Sequence, residues 1–231
     1  MSSLSSRLPI YFVGFPLTIW IILTGGILFY LFVGLFTIMA FIEFLSLKRE
    51  EANSVLWWVL GMVYVCLSLS CLFLLRDIDN QLSSYFTLML FCGVMLNDTF
   101  AYIFGNLIGG RKIAPSISPN KTYAGLLGGV IGSTIFTLLF SYYVFSLKMI
   151  DILIFIFIFS VVGFFGDLLE SYLKRSVNVK DSSNLLMGHG GALDRLDSLI
   201  LTSPPTLLYV CLLYTSPSPR DLSTSRMPSS A

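Results

Sequence analysis

The sequence predicts an all-α, polytopic membrane protein of about seven transmembrane helices, with its active site on the cytoplasmic face. Three observations predict it. Hydrophobic residues make up 55% of the 231 residues and charged residues only 12%, about half the charged share of an ordinary soluble domain. Apolar runs close to the roughly 20 residues needed to cross a bilayer recur along the chain. The charges gather into a few clusters, the densest lying between Gly166 and Ser198.

The composition also sets limits on function. A net charge of +1 supplies no global field to attract nucleic acid, so no nucleic-acid partner is expected and any anionic ligand must be met by local clusters. Cys66, Cys71, Cys92 and Cys211 sit in apolar runs without metal-like spacing. They read as small hydrophobes.

Taken in order, the chain opens with two spans, about Ile10 to Leu23 and Ile27 to Leu47, broken at Gly25-Gly26. A secretory signal peptide is disfavoured, because apolar character resumes directly after the glycines. The first span is short for a crossing and is expected to tilt or re-enter. Glu43, near the end of the second, is expected to reach the interface beside Lys48, Arg49, Glu50 and Glu51. Val55 to Leu75 is an unbroken apolar run, with Trp57 and Trp58 placed for the headgroup belt. Tyr85 to Phe104 carries Asn97 and Asp98 in apolar surroundings. An ionisable group there is costly in hydrocarbon, so Asp98 is expected to face a polar cavity or a partner.

The loop from Gly105 to Lys121 contains three glycines, two prolines, Arg111, Lys112 and Lys121. It reads as a cationic turn-rich segment suited to phosphate oxygens. Tyr123 to Val144 forms the next span, with Gly125, Gly128, Gly129 and Gly132 on a face that permits close helix contact. Ile152 to Phe165 then runs into a charged helix. There Asp167, Glu170, Ser171 and Lys174 fall at i, i+3, i+4 and i+7, so all four share one stripe. From Ala192 to Leu201 the chain again reads as helix, with Asp194 and Asp197 three residues apart on one face. Asp167, Asp194 and Asp197 are therefore three carboxylates that two helices could bring to one divalent cation, since hard ions such as Mg²⁺ take oxygen ligands and share them with phosphates. Between the helices, Gly188, Gly190 and Gly191 allow close backbone approach to an anion, with His189 inside the turn.

A last apolar segment, about Leu199 to Tyr214, contains Pro204-Pro205. Residues 1–214 are thus expected to form a single multi-pass catalytic domain. From about Thr215 the text TSPSPRDLSTSRMPSSA changes character and reads as a non-native or disordered tail, residues 215–231. Counting Lys and Arg near the spans puts Arg7, Lys48, Arg49, Arg111, Lys112, Lys121, Lys174, Arg175, Lys180 and Arg195 on one side, against Arg76 and Lys148 on the other. The ten belong inside.

The run Ser171-Tyr-Leu-Lys-Arg, four residues, Lys180-Asp181, seven residues, His189-Gly-Gly-Ala-Leu-Asp194-Arg195-Leu-Asp197 resembles the signature of the phosphatidate cytidylyltransferase, or CDP-diacylglycerol synthase, family. Asp98-Thr-Phe-Ala-Tyr102-Ile-Phe-Gly105 and Ser118-Pro119-Asn120-Lys121-Thr122 resemble a second set of motifs of that family. Ala124 stands where the family usually has Glu.

The resemblance implies a magnesium-dependent nucleotidyltransferase of phospholipid biosynthesis that joins CTP and phosphatidic acid into CDP-diacylglycerol and pyrophosphate. It also suggests a homodimer, in the inner membrane of a bacterium. On this reading Asp167, Asp194 and Asp197 hold Mg²⁺, a second cation being allowed, and Ser171 adds a neutral oxygen. Lys174, Arg175, Lys180 and Arg195, with Lys121 and Arg111 from the other loop, contact phosphates. His189, Gly190 and Gly191 line the substrate turn. A CTP-dependent kinase of a lipid alcohol would use similar charges but release CDP. An ion-coupled transporter would use the carboxylates as a relay without needing the Gly-His-Gly-Gly turn.

Overall fold

Gly25 and Gly26 both adopt left-handed backbone, with φ of 66° and 61°, a conformation glycine enters without steric cost. This break separates α1 (Phe15–Thr24) from α2 (Gly26–Ser46). The fold is that of a computed structural model describing residues 14–49, 51–78, 82–179, 181–183 and 190–215, with side chains as far as 213. The proposed tail beyond Thr215 and the first part of the expected Ile10 to Leu23 span lie outside the described residues, as do Lys180 and His189.

Five further helices follow: α3 (Ser54–Asp77), α4 (Leu82–Leu107), α5 (Tyr123–Tyr143), α6 (Met149–Ser176) and α7 (Leu193–Thr215). Together with α2 these make six helices long and apolar enough to cross a membrane; α1 is a shorter apolar helix. The chain is an all-α polytopic membrane protein; the expected spans from Ile27 onward fall on these six helices, and the expected Ile10 to Leu23 span is described only as the shorter α1. α3 and α6 each contain a π-helical turn, Met62–Leu67 and Ile158–Val162.

Two differences from the sequence reading have clear physical causes. The loop after α4 contains an antiparallel hairpin of β1 (Lys112–Ala114) and β2 (Ser118–Thr122), although it lacks the apolar/polar alternation that announces strands. At its end the Thr122 hydroxyl accepts from the Gly125 amide at 3.0 Å and caps α5. The second difference is that the Asp194 segment and the last apolar segment form one helix, α7, through Pro204-Pro205. Nearby hydroxyls take up backbone carbonyls there: Thr202 donates to Ser198, Ser203 to Leu199 and Thr206 to Thr202. These are the carbonyls one turn before each hydroxyl, whereas the carbonyls that Pro204 and Pro205 leave without an amide are those of Ile200 and Leu201; burial of Ile200, Thr202, Ser203, Thr206 and Val210 in the bundle holds the helix through the pair.

The glycine face of α5 packs tightly on α4. A Cβ on Gly129 would stand 2.6 Å from Asn97 Oδ1, and one on Gly132 would stand 2.6 Å from the Phe100 ring. The core of the bundle is aromatic and aliphatic, with Phe29, Met89, Leu90, Phe155, Phe159, Ile200 and Val210 all buried. Cys66, Cys71 and Cys92 are half-buried and Cys211 is exposed.

Charged groups segregate by end. Arg49 Nε donates to the Ser176 carbonyl at 3.0 Å and Arg175 Nε to Ile117 at 3.3 Å. Lys121 meets Asp167, so the cationic loops and the charged end of α6 share one end of the bundle. At the other end Arg76 Nε reaches the Ile22 carbonyl, the Arg76 carbonyl accepts from the Ser83 hydroxyl, and Phe86 stacks on Phe145, near Lys148.

Candidate active site

The charged end of α6 extends the helix beyond its apolar body, so its stripe points inward at the same level as the start of α7. Contact between the two is close because Gly166 carries no side chain: a Cβ there would lie 2.7 Å from the Asp197 carbonyl oxygen. Carboxylate oxygens of Asp167, Glu170 and Asp197 consequently all lie within 4.8 Å of one another. Glu170 is completely buried (0% exposed), and its Oε1 has no hydrogen-bond partner among the described residues.

Asp194 sits beside this group in a different setting. Its Oδ1 is 2.7 Å from Lys174 Nζ, while Oδ2 accepts from the Gly191 amide at 2.8 Å and the Ser182 amide at 3.1 Å. Lys174 also meets Glu170 Oε2 at 2.6 Å. Lys174 is therefore a cation held between two acids, and Asp194 ties the loop before α7 to α6. Glu170, expected only to belong to the stripe, joins the cluster that could share an ion.

Lys121, from β2, lies 2.7 Å from Asp167 Oδ2 and 4.8 Å from the centre of the Phe164 ring. Ser171 Oγ is 3.4 Å from Asp167 Oδ1, at the long limit of a hydrogen bond. Asp197 Oδ1 accepts from the Ser198 amide at 2.6 Å. Asp98 on α4 lines the same cavity as Lys121, Asp167, Asp194, Arg195 and Asp197. That cavity has a volume of about 1210 Å³, and Phe32, Val33, Leu90, Phe91 and Val94 line its apolar part.

The remaining sequence candidates are more dispersed. Arg111 is exposed, and its carbonyl accepts from the Tyr123 amide. Arg175 is exposed and donates to the carbonyls of Ile117 and Val179, tying the hairpin to the end of α6. Gly190 takes a φ of 80°. Gly191 is buried against Ser182 and Glu43, with no room for a Cβ.

Glu43, expected near the interface at the end of its span, is enclosed by protein at the charged end of the bundle. Glu43 is 4% exposed and accepts from the Ser182 and Ser183 hydroxyls and from the Ala192 and Leu193 amides. A single acid at the end of an apolar run gives no hint of partners some 139 to 150 residues away.

The donor set fits a hard divalent cation. Asp98, Asp167, Glu170, Asp194 and Asp197 bring five carboxylates together, whereas the ammonium groups paired with them are those of Lys121 and Lys174. Carboxylate oxygens are the ligands Mg²⁺ prefers, and it leaves positions for phosphate oxygens.

The model of the family described as the cytidylyltransferase family matches residues 48–213. The chain is 36% identical over 174 residues to a phosphatidate cytidylyltransferase of Rickettsia bellii, covering 70% of this chain and 72% of that one. It is 35% identical over 211 residues to a phosphatidate cytidylyltransferase of Rickettsia felis, covering 83% and 91%. To a phosphatidate cytidylyltransferase of Staphylococcus haemolyticus it is 45% identical over 130 residues, 56% of this chain and 49% of that one, so it spans about half the length of that relative.

Proposed function

This chain belongs to the cytidylyltransferase family of enzymes, and from that premise we propose that it makes CDP-diacylglycerol and pyrophosphate from CTP and phosphatidic acid, with Mg²⁺ as cofactor. The observation that carries this reading is the cavity itself. Asp98, Asp167, Asp194, Asp197, Lys121 and Arg195 line it together with many apolar side chains, so a metal-bound polyanion and an acyl chain have complementary walls in one space.

In this reaction a phosphate oxygen of phosphatidic acid forms a bond to the α-phosphorus of CTP. The bond from that phosphorus to the oxygen bridging to the β-phosphate breaks, and pyrophosphate leaves. Enzymes catalyse such transfers mainly by positioning and by electrostatic stabilisation. Mg²⁺, when bound, would neutralise triphosphate oxygens and the charge growing on the leaving group.

Asp167, Glu170 and Asp197 would hold the ion, with Asp98 facing the same space and Asp194 orienting Lys174. Ser171 would present a neutral oxygen beside Asp167. Lys121 and Arg195, which line the cavity, would contact phosphates; Arg111, Arg175, Lys180 and His189 belong to the same proposed cationic surround. The amides around Gly190 and Gly191 would bound the substrate turn. Glu170 supports this assignment, because its fully buried carboxylate, met by the single cation Lys174, stands within 4.8 Å of those of Asp167 and Asp197, and acids so crowded are costly to bury without further positive charge.

The one-sided distribution of Lys and Arg supports a cytoplasmic site in the inner membrane of a bacterium. A homodimer is part of the same reading, tested by cross-linking in intact membranes. The deciding experiment supplies CTP labelled in the cytidine to membranes containing phosphatidic acid, with and without Mg²⁺. Label in the lipid and release of pyrophosphate are expected. Release of CDP with a phosphorylated lipid alcohol would instead establish a kinase, and absence of label in lipid would overturn the proposal.

A further inference from the structure

We infer that Glu43 is a positioning residue for the α7 carboxylates, acting as an acidic clamp that fixes the start of α7 from a helix distant in sequence. The inference rests on the function proposed above for Asp197, but the clamp itself is read from four hydrogen bonds. Glu43 Oε2 accepts from Ser182 Oγ at 2.9 Å and from the Leu193 amide at 2.8 Å. Oε1 accepts from Ser183 Oγ at 2.6 Å and from the Ala192 amide at 3.0 Å.

The chemistry of these partners explains why a carboxylate stands there. The first amides of a helix have no partner within the helix, and a negative charge near them is favoured by the helix dipole. Helices commonly meet this need with a side chain of their own at the first position, but here Ala192 and Leu193 precede Asp194 and offer none. Glu43 takes their amides across the bundle and, with the same two oxygens, holds Ser182 and Ser183 on the far side of the loop. Asp194 completes the arrangement by accepting from Gly191 and Ser182. One buried acid thus sets the rotation and depth of the turn from which Asp194 and Asp197 project. Gly191 leaves the space: a Cβ there would collide with Ser182 Oγ and Glu43 Oε2.

A glutamine at position 43 has the same shape but cannot replace the carboxylate. Each glutamate oxygen serves one hydroxyl and one amide N–H. In either orientation the glutamine NH₂ can donate to the hydroxyl but faces an N–H donor it cannot accept from, so one amide is left without a partner.

The test uses the full chain in membranes and two variants, Glu43→Gln and Gly191→Ala, with two readouts. Hydrogen exchange at the Ala192 and Leu193 amides should accelerate at least about tenfold while Ile200 to Val210 stays protected, as expected when one local set of bonds is lost. The Mg²⁺ concentration for half-maximal CTP incorporation should rise roughly 10- to 100-fold, the usual size of effect when a group that orients a metal ligand is removed. At saturating Mg²⁺ the KM for CTP of Glu43→Gln should change little. A fall in kcat with no change in Mg²⁺ requirement or local exchange would make Glu43 merely structural and overturn the inference. If Glu43→Gln fails to accumulate, Ser182→Ala with Ser183→Ala removes two of the four bonds and should shift both readouts in the same direction; no shift would count against the clamp. Should the unmutated chain incorporate no CTP, the function reading falls and the exchange measurement alone decides the clamp.

Discussion

Lys121 Nζ lies 2.7 Å from Asp167 Oδ2, so the end of the β hairpin is fastened to the helix that carries the acidic stripe. The lysine is largely shielded and also lies over the Phe164 ring, which fixes its direction toward the cavity.

Replacing Lys121 by Met keeps the length of the side chain and removes the charge. A hydrogen bond to a charged group contributes about 1.5 to 3 kcal/mol, so kcat/KM for CTP should fall by roughly 10- to 150-fold. Lys121→Arg should retain part of it, since the charge remains but the fork differs in shape. Steady-state kinetics on membranes with matched protein content check both, and an unaltered kcat/KM in Lys121→Met would remove Lys121 from the site.

Neighbouring cations on α6 should behave in opposite ways. Lys174 stands between fully buried Glu170 and Asp194, and removing one member of a buried ionic group commonly costs about 3 to 5 kcal/mol. Lys174→Ala should therefore lower the unfolding midpoint in detergent clearly and abolish turnover. Arg175 is exposed and donates to two carbonyls, so Arg175→Ala should cost about 1 kcal/mol or less in stability. If the two variants melt together, the arrangement around Lys174 is wrong.

Much of this site could be read from spacing. Asp167, Glu170, Ser171 and Lys174 share a stripe by helical arithmetic alone, and the glycines from Gly125 to Gly132 announced a close helix contact, though not its partner, in the same way. Helical periodicity is a local property, visible in any single sequence. What the spacing left open was the division of labour among the acids. Glu170 and Asp194 differ little as residue types, but one is buried beside Asp167 and Asp197 while the other is occupied by Lys174 and two loop amides. That distinction depends on how α6 crosses α7. Glu43 was invisible for the same reason, since all four of its partners are remote in sequence, and the hairpin was hidden because its strands carry no alternating pattern.

The division of labour has its own consequence. Glu170→Gln removes a charge from the three-carboxylate group and should raise the Mg²⁺ requirement for CTP incorporation by about tenfold or more, in line with the loss of a group in or beside a metal site. Asp197→Asn should abolish incorporation while leaving the protein inserted in the membrane. A Mg²⁺ titration of each variant decides, and retention of normal turnover by Asp197→Asn would contradict the proposed ion site.

The contact between α4 and α5 should be as sensitive as the charges, because it holds Asn97 and Asp98 against the cavity. At Gly129 a Cβ would meet Asn97 Oδ1 at 2.6 Å and the Asn97 carbonyl oxygen at 3.2 Å. The side chain of Asn97 can turn away, but the carbonyl belongs to the α4 backbone, so the helices must give by a few tenths of an ångström. Overpacking of this kind costs about 1 to 3 kcal/mol. Gly129→Ala should lower both the unfolding midpoint and kcat, since Asp98 follows Asn97 directly on the displaced segment. Gly34→Ala is the matched control: nothing lies within 4 Å of its added Cβ, and alanine is the better helix former by roughly 0.8 to 1 kcal/mol. That variant should be neutral or slightly more stable, with unchanged kinetics. Thermal unfolding in detergent and CTP incorporation, measured on the same preparations, separate the two cases, and equal behaviour of the two alanines would show that α4 and α5 are not packed through this glycine face.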